Sequence, residues 1–365
     1  MKLAVNGQLF NYNFIDCFIC LYERGVVMNI KYFTCANSCK GLINLTESNI
    51  KGIGRVYSIK SSSLKRMSNF IKQVGEYFES RNTLVEYILN ASDKSIYDGC
   101  IIKDMNVILF NSKTFDKGIE INLGTTEDYV WLEEKIQSCY DRMYVAFGEA
   151  KKIHDDWEKI YIGNMDFEKL NSFKKKSIDQ MFNAAEYSEN ASVNDRFFGG
   201  STKDGYVNLI DDLTRGIKNR YFIKGRPGTG KSTFMKEVAN EAEKHGLDVI
   251  VYKCSFDPDS LDMVVVPHGE FCVFDSTAPH EMFPTKAGDR VLDFYKESGL
   301  VGVDEKYKKI LDEISAEYRL RLNEGNEHLK LSAVLGTELE NKLERINFDD
   351  FSVSEFVTKI KNNQI

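Results

Sequence analysis

Sliding the chain along itself by 164 residues lays 33–115 on 197–279 without a gap. Nineteen of the 83 paired positions are identical, against about five for unrelated segments of ordinary composition. Phe33 meets Phe197, Gly41 meets Gly205, and Asn44 and Leu45 meet Asn208 and Leu209. Tyr57, Ile59 and Lys60 meet Tyr221, Ile223 and Lys224; Ser68, Phe70, Lys72 and Val74 meet Ser232, Phe234, Lys236 and Val238. Asp93 and Asp98 meet Asp257 and Asp262. The chain therefore reads as one α/β unit used twice, and its 365 residues suffice for two domains of ordinary size.

The second copy carries the sharper signal. Residues 225–232 read Gly-Arg-Pro-Gly-Thr-Gly-Lys-Ser, the spacing of a phosphate-binding loop. Tyr221, Phe222 and Ile223 before it suit a buried strand, and Phe234, Met235, Val238 and Ala242 after it recur at helical spacing. The residue types match the chemistry of a triphosphate. Glycines let successive backbone N–H groups turn inward, and the new helix points its positive dipole end at the same place. Lys231 supplies a mobile charge for the β- and γ-phosphates, and the Ser232 hydroxyl is the expected Mg²⁺ ligand. The expected contact set is Gly225, Arg226, Pro227, Gly228, Thr229, Gly230, Lys231, Ser232 and Thr233, with ATP and Mg²⁺ as the ligands.

Opposite this loop the first copy has Ser61, Ser62, Ser63, Leu64, Lys65, Arg66, Met67 and Ser68. Every glycine is gone, and Met67 replaces the lysine. Side chains at the Gly228 and Gly230 positions obstruct the close approach of phosphate to backbone. The first half is expected to be a pseudo-domain that covers the second or holds a partner. Residues 1–31 are read as an extension, of which 1–27 could follow a misplaced start, 32–171 as the degenerate unit, 172–196 as a polar linker or a helix plus linker, 197–350 as the nucleotide unit and 351–365 as a tail.

Further along the second copy, Phe271, Cys272, Val273 and Phe274 form an apolar strand that ends in Asp275, the position of a carboxylate holding Mg²⁺ near Ser232. Asn111 stands there in the first copy. Asp257 and Asp259 are the rival acids. Many ATPases place a glutamate directly after the metal-holding acid to orient water; here Ser276 follows. His280 is the candidate for contact with phosphate or substrate, Glu281 is a possible base, and His268 is a weaker candidate. The expected catalytic set is thus Lys231, Asp275 and His280. Arg290, Arg319 and Arg321 are candidates to reach the γ-phosphate from a Lys- and Glu-rich helical region at 288–346. In the first half, His154 and Glu158 lie four apart, a spacing open to metal; an amphipathic helix with Ile153, Trp157, Ile160 and Tyr161 inward and its acids in water is the favoured reading.

The net charge of −7 argues against a general nucleic-acid binder. Eight cysteines do not make a disulfide scaffold, and Cys17, Cys20, Cys35 and Cys39, though spaced C-x2-C…C-x3-C, sit in apolar or repeat positions better read as packing than as zinc ligands. Without an 18-residue apolar run, no membrane span is expected, and a cytoplasmic location with an unidentified protein or small-molecule partner follows.

The runs at 197–202, 225–233 and 254–262 and the Phe-Asp-Ser-Thr-Ala-Pro-His run at 274–280, with 153–161 and 164–167 in the first half, are together similar to an uncharacterised bacterial family of tandem P-loop ATPase-like proteins. The resemblance covers about residues 28–350. It implies nucleotide binding. The expected fold is α/β, two tandem P-loop NTPase-like domains of three layers with mainly parallel sheets and helical extensions, the first degenerate on its own residues. Members can carry a phosphate loop in both halves, and this chain departs from that in the first. An ATPase is the leading expectation. A kinase passing the γ-phosphate to an acceptor and a nucleotide sensor with negligible turnover are the alternatives.

Overall fold

The computed structural model describes residues 29–182, 191–349 and 351–362, together with a pairing of Ala4–Val5 with Gln8–Leu9. Cys17 and Cys20, most of the expected N-terminal extension and 183–190 of the expected linker lie outside the described residues.

The chain is α/β, with two mixed sheets of six strands each. In the first half the strands are β1 (Ile30–Phe33), β2 (Arg55–Lys60), β3 (Val85–Leu89), β4 (Tyr97–Ile102), β5 (Val107–Asn111) and β6 (Ile119–Asn122), in the order β6-β2-β5-β4-β3-β1. In the second they are β7 (Val193–Arg196), β8 (Asn219–Lys224), β9 (Val249–Lys253), β10 (Leu261–Val266), β11 (Phe271–Asp275) and β12 (Asp289–Asp293), in the order β12-β8-β11-β10-β9-β7. The orders are the same. In each sheet only the fourth strand of the half, β4 or β10, runs antiparallel to its neighbours.

The shift of 164 recurs in the hydrogen-bond register. Gly99 faces Phe110 as Met263 faces Phe274, and the register slips at Ile88/Leu89 and again at Tyr252/Lys253. Even the left-handed turn before the fifth strand is repeated, at Asn106 and Glu270. Register is pinned because a one-residue slip would turn every buried side chain to the wrong face. The equivalence breaks only before the last strand: Ile119 pairs with Tyr57, but Arg290, 171 residues on, pairs with Tyr221.

One face of each sheet is covered by helices. Helix α1 (Leu64–Glu79) turns Met67, Phe70, Ile71, Val74 and Phe78 onto the first sheet. Helix α4 (Lys231–Lys244) turns Phe234, Met235, Val238 and Ala242 onto the second. The opposite faces do not form separate third layers. Tyr32, Ile88, Ile101, Ile108 and Phe110 of the first half share one core with Phe222, Ile250, Tyr252, Met263, Val265 and Phe274 of the second. Strands buried on both faces read as continuous apolar runs, so the sequence does not reveal which face meets the other half.

The halves meet about a pseudo-twofold axis. Phe33 and Phe197, equivalent in the repeat, exchange backbone hydrogen bonds of 3.0 and 2.8 Å. Cys39 N–H donates to Phe256 O, and at the equivalent place Lys203 N–H donates to Ser92 O, both at 2.9 Å. Beside the axis Arg196 is buried, 3.1 Å from Glu86 of the first half and stacked over Tyr32. The Tyr32 hydroxyl donates to the same carboxylate at 2.8 Å, and Arg196 Nε donates to Asn49 Oδ1 at 2.8 Å.

Two long helices, α2 (Val130–Ile162) and α5 (Lys308–Leu343), run antiparallel against each other. Lys342 lies over Trp131 near one end, Arg321 reaches Glu149 at 3.4 Å, and Tyr318 packs on His154 and Trp157 toward the other. Gly325 sits at the crossing because a Cβ there would lie 2.5 Å from the Phe147 ring. Each long helix then delivers a shorter one to the opposite half. Helix α3 (Phe167–Phe182) sets Leu170, Met181 and Phe182 into the second-half core. Helix α6 (Val353–Lys361) sets Phe356, Val357 and Ile360 into the first-half core. Residues 172–182 are thus part of a packed helix, as the helix-plus-linker reading of 172–196 allows, and within the expected tail α6 packs Phe356, Val357 and Ile360 into the first-half core. Their buried residues are spaced as on any amphipathic helix, and spacing does not say which half receives them.

Burial raises the Glu86 carboxyl, and Lys103, Arg196 and the Tyr32 hydroxyl overcome this and hold it below its ordinary value. Its stabilising contribution is therefore complete above about pH 4.3, the unfolded glutamate value, and is lost as pH falls through the lower folded pKa. Glu86→Gln leaves Arg196 buried beside an uncharged partner and is expected to lower stability by about 3–5 kcal/mol at pH 7, read as a lower urea midpoint for the full chain. An unchanged midpoint would show that the buried pair does not hold the halves together.

Candidate functional site

Strand β8 lies between two parallel neighbours, β11 and β12, and runs straight into the glycine-rich loop 225–232. Gly228 and Gly230 have φ of +75° and +79°, which only glycine adopts without strain, and Gly230 caps α4. A Cβ on Gly225 would lie 2.5 Å from Thr229 Oγ1, and that hydroxyl donates to Arg226 O at 2.7 Å, closing the turn. Lys231 folds back over the loop. Its Nζ donates to Arg226 O at 3.1 Å and to Gly225 O at 3.4 Å, and stands 3.5 Å from Asp275 Oδ2.

Asp275 ends β11, one strand from the loop, and its other oxygen caps the next turn by accepting from Thr277 N–H at 2.9 Å. The Ser232 hydroxyl oxygen accepts from Leu261 N–H at 2.9 Å. Lys231, Ser232 and Asp275 thus converge on the C-terminal edge of the parallel strands, where open α/β sheets hold ligands. Thr233 is exposed on the first turn of α4. Arg226 turns outward to Asp304, which also accepts from the Tyr161 hydroxyl of α2 at 2.9 Å. Ser276, directly after Asp275, is fully buried, and its hydroxyl donates to Met282 O at 2.8 Å, so it faces away from the loop.

His280 is buried between Asp262, whose Oδ2 is 3.3 Å from Nε2, and the Tyr206 hydroxyl, 3.1 Å from Nδ1. Burial pushes the imidazole pKa down, and Asp262 overcomes this and holds it above its ordinary value. Both ring nitrogens are engaged, so Asp262 and Tyr206 fix the position of the His280 ring. Asp257 caps its own turn, accepting from Asp259 N–H at 3.2 Å as Asp93 accepts from Ser95 N–H at 2.9 Å. Asp259 pairs with Lys40 at the surface. Arg319 and Arg321 are engaged along α5 with Ser315, Glu149 and Glu324, and Arg290 lies over Tyr221.

The side chains that sequence reasoning set aside are those of α2. This first-half helix lies directly on the second-half loop: a Cβ on Gly228 would be 3.0 Å from Glu158 O and 3.1 Å from Glu158 Cβ. Lys151 lies 3.5 Å from Asp257, and His154, Asp155 and Glu158 offer ligand atoms within 4.8 Å of one another, enough to hold a metal ion. The acids were expected in water. Glu158 is instead half-buried, and burial pushes its carboxyl pKa up against the opposing pull of Lys151 and Lys231. Its neighbour His154 is pushed down by burial, Lys151 and Lys231. The spacing of 151, 154, 155 and 158 was visible in sequence; that this face meets the loop of the other half was not.

The loop of the first half is filled from within. Ser63 caps α1, its hydroxyl accepting from Arg66 N–H at 3.0 Å. The Glu340 carboxylate of α5 takes hydrogen bonds from the Ser63 hydroxyl at 2.6 Å and from Leu64 and Lys65 N–H at 2.7 and 3.3 Å. An acid therefore sits where the N-terminus of a helix attracts an anion. Lys65 and Arg66 point elsewhere, to Glu344 and to Asp349 O.

The His280 geometry has a direct consequence. Asp262→Asn removes the larger of the charges that oppose burial, so the His280 pKa is expected to fall, followed by the pH dependence of its imidazole NMR signals. An unmoved titration would mean that Asp262 does not set the charge of His280.

Among the described residues no helix is long and apolar enough to cross a membrane. No protein-family model, curated protein or solved structure matches the chain.

Proposed function

We propose that the chain binds one ATP with Mg²⁺ at 225–233, in keeping with the nucleotide binding that the resemblance to tandem P-loop ATPase-like proteins implies, and hydrolyses it. The observation that carries this reading is the convergence of Lys231, Ser232 and Asp275 on one loop with two left-handed glycines at a helix N-terminus. The donor set suits a triphosphate: an amino group, a helix end and backbone freed from side chains. It also suits Mg²⁺, which takes oxygen ligands, through the Ser232 hydroxyl and the Asp275 carboxylate. When bound, the ion would neutralise charge on the phosphates.

Lys231 now donates to loop carbonyls and neighbours Asp275, so turning toward a phosphate exchanges weak partners for a charged one. Gly228 and Gly230 hold the left-handed backbone of the loop, where the first half has Leu64 and Arg66 on the first turn of a helix. The first half supports no second site in this reading, because Glu340 already occupies its helix end.

Calorimetry of the full chain with ATP and Mg²⁺ is expected to give one nucleotide per chain, and Lys231→Ala is expected to weaken binding more than about tenfold, or 1.4 kcal/mol. Unchanged affinity in that variant would refute the site, and two nucleotides per chain would refute the filled first half. Following labelled γ-phosphate separates release to water from transfer to an acceptor.

A further inference from the structure

Helices α2 and α5 are related by the same pseudo-twofold as the sheets, with a shift of their own. Met143 and Gly325, Phe147 and Leu329, Ala150 and Ser332, and Tyr161 and Leu343 are buried pairs, each 182 residues apart. The same step carries Glu158 onto Glu340. On the receiving side, the shift of 164 carries Leu64 and Lys65 onto Gly228 and Thr229. Glu340 shows what this helix position delivers: a carboxylate, 7% exposed, hydrogen-bonded to the N–H groups of Leu64 and Lys65. Glu158 stands at the equivalent place over the glycine loop, with its backbone against Gly228.

We propose that Glu158, supplied by the first half, faces the terminal phosphate of a nucleotide held by the second half and serves as the base that the chain lacks after Asp275. This rests on the nucleotide reading given above. Ser276 is buried and turned away, and His280 is held at both nitrogens, which leaves neither free to take a proton from water. Glu158 packs against Gly228 of the loop, half-buried, within the field of Lys231. In the step it serves, a water oxygen bonds to the γ-phosphorus while the bond from that phosphorus to the β,γ-bridging oxygen breaks. ADP leaves with the electron pair, and the water proton passes to the Glu158 carboxylate and then to solvent. ATP and water thus become ADP, phosphate and a proton.

The first half then has a defined task. It holds no nucleotide, yet its long helix completes the site of its twin, while Glu340 fixes the reciprocal contact. The groups facing Glu158 are Lys151, His154 and Asp155 on its own helix and Lys231 and Asp257 from the second half.

The test uses the full chain and its Glu158→Gln, Glu158→Asp and Asp156→Asn variants, with ATP binding and phosphate release measured separately across pH. Glu158→Gln is expected to bind ATP within about threefold of wild type and to lose at least about a hundredfold in kcat, together with the acid limb of the pH–rate profile. Glu158→Asp should recover part of the rate, and Asp156→Asn, exposed and about 200° round the helix from Glu158, should leave it unchanged. A Glu158→Gln chain that turns over at the wild-type rate overturns the proposal. So does a wild type that binds ATP and releases no phosphate, a result that leaves nucleotide binding standing. A wild type that binds no ATP overturns both readings.

Discussion

The antiparallel packing of α2 against α5 is the contact on which the arrangement of the site depends. Both helices are far longer than a sheet layer needs, and each carries its C-terminal end past the axis onto the other half. Gly325 against Phe147 allows the close approach at the crossing. The ends then anchor: α3 enters the second core through Leu170, Met181 and Phe182, and α6 enters the first through Phe356, Val357 and Ile360. Burying an apolar side chain of this size contributes about 1.5–3 kcal/mol, so each exchanged helix ties the halves together by several such contributions. Neither half keeps its full core if the other is removed.

Within that symmetric frame the two loops have diverged in opposite chemical directions. The second keeps Gly225, Gly228 and Gly230 and places Lys231 beside Asp275. The first has serines, Leu64 and Met67, and its helix end is satisfied by Glu340. A buried carboxylate needs partners, and a buried helix N-terminus needs acceptors, so each supplies what the other lacks. The same exchange explains why the degenerate half persists structurally: it gives the second half α2 and α3, and takes α6 in return. On the second side Glu158 stands at the position matching Glu340, with its backbone against Gly228.

Much of the local structure was legible. The shift of 164 residues located equivalent strands residue by residue, and the strand–loop–helix at 219–244 followed from short-range pattern and glycine placement. The strand that ends in Asp275 was legible because an apolar run ending in an acid is a local signal. The partners of His280 were not, since Asp262 and Tyr206 come from different strands and converge only through folding. The helix at 151–161 was read correctly as amphipathic, but its half-buried acids were placed in water, because periodicity identifies a face and not what covers it.

The sequence by itself determined the repeat, the strand–loop–helix at 219–244 and the unequal chemistry of the two loops, because these rest on side-chain periodicity, turn residues and local steric rules. The region at 288–346, read as helical, instead opens with strand β12 (Asp289–Asp293), whose place beside β8 is set by sheet pairing and not by local pattern. Only the tertiary structure decided that the inner faces of both sheets merge, that the terminal helices are exchanged, and that Glu158 and Glu340 each cross to the opposite loop. Those outcomes depend on contacts between residues far apart in the chain. Their partners are chosen by shape and burial in three dimensions, which no local pattern records.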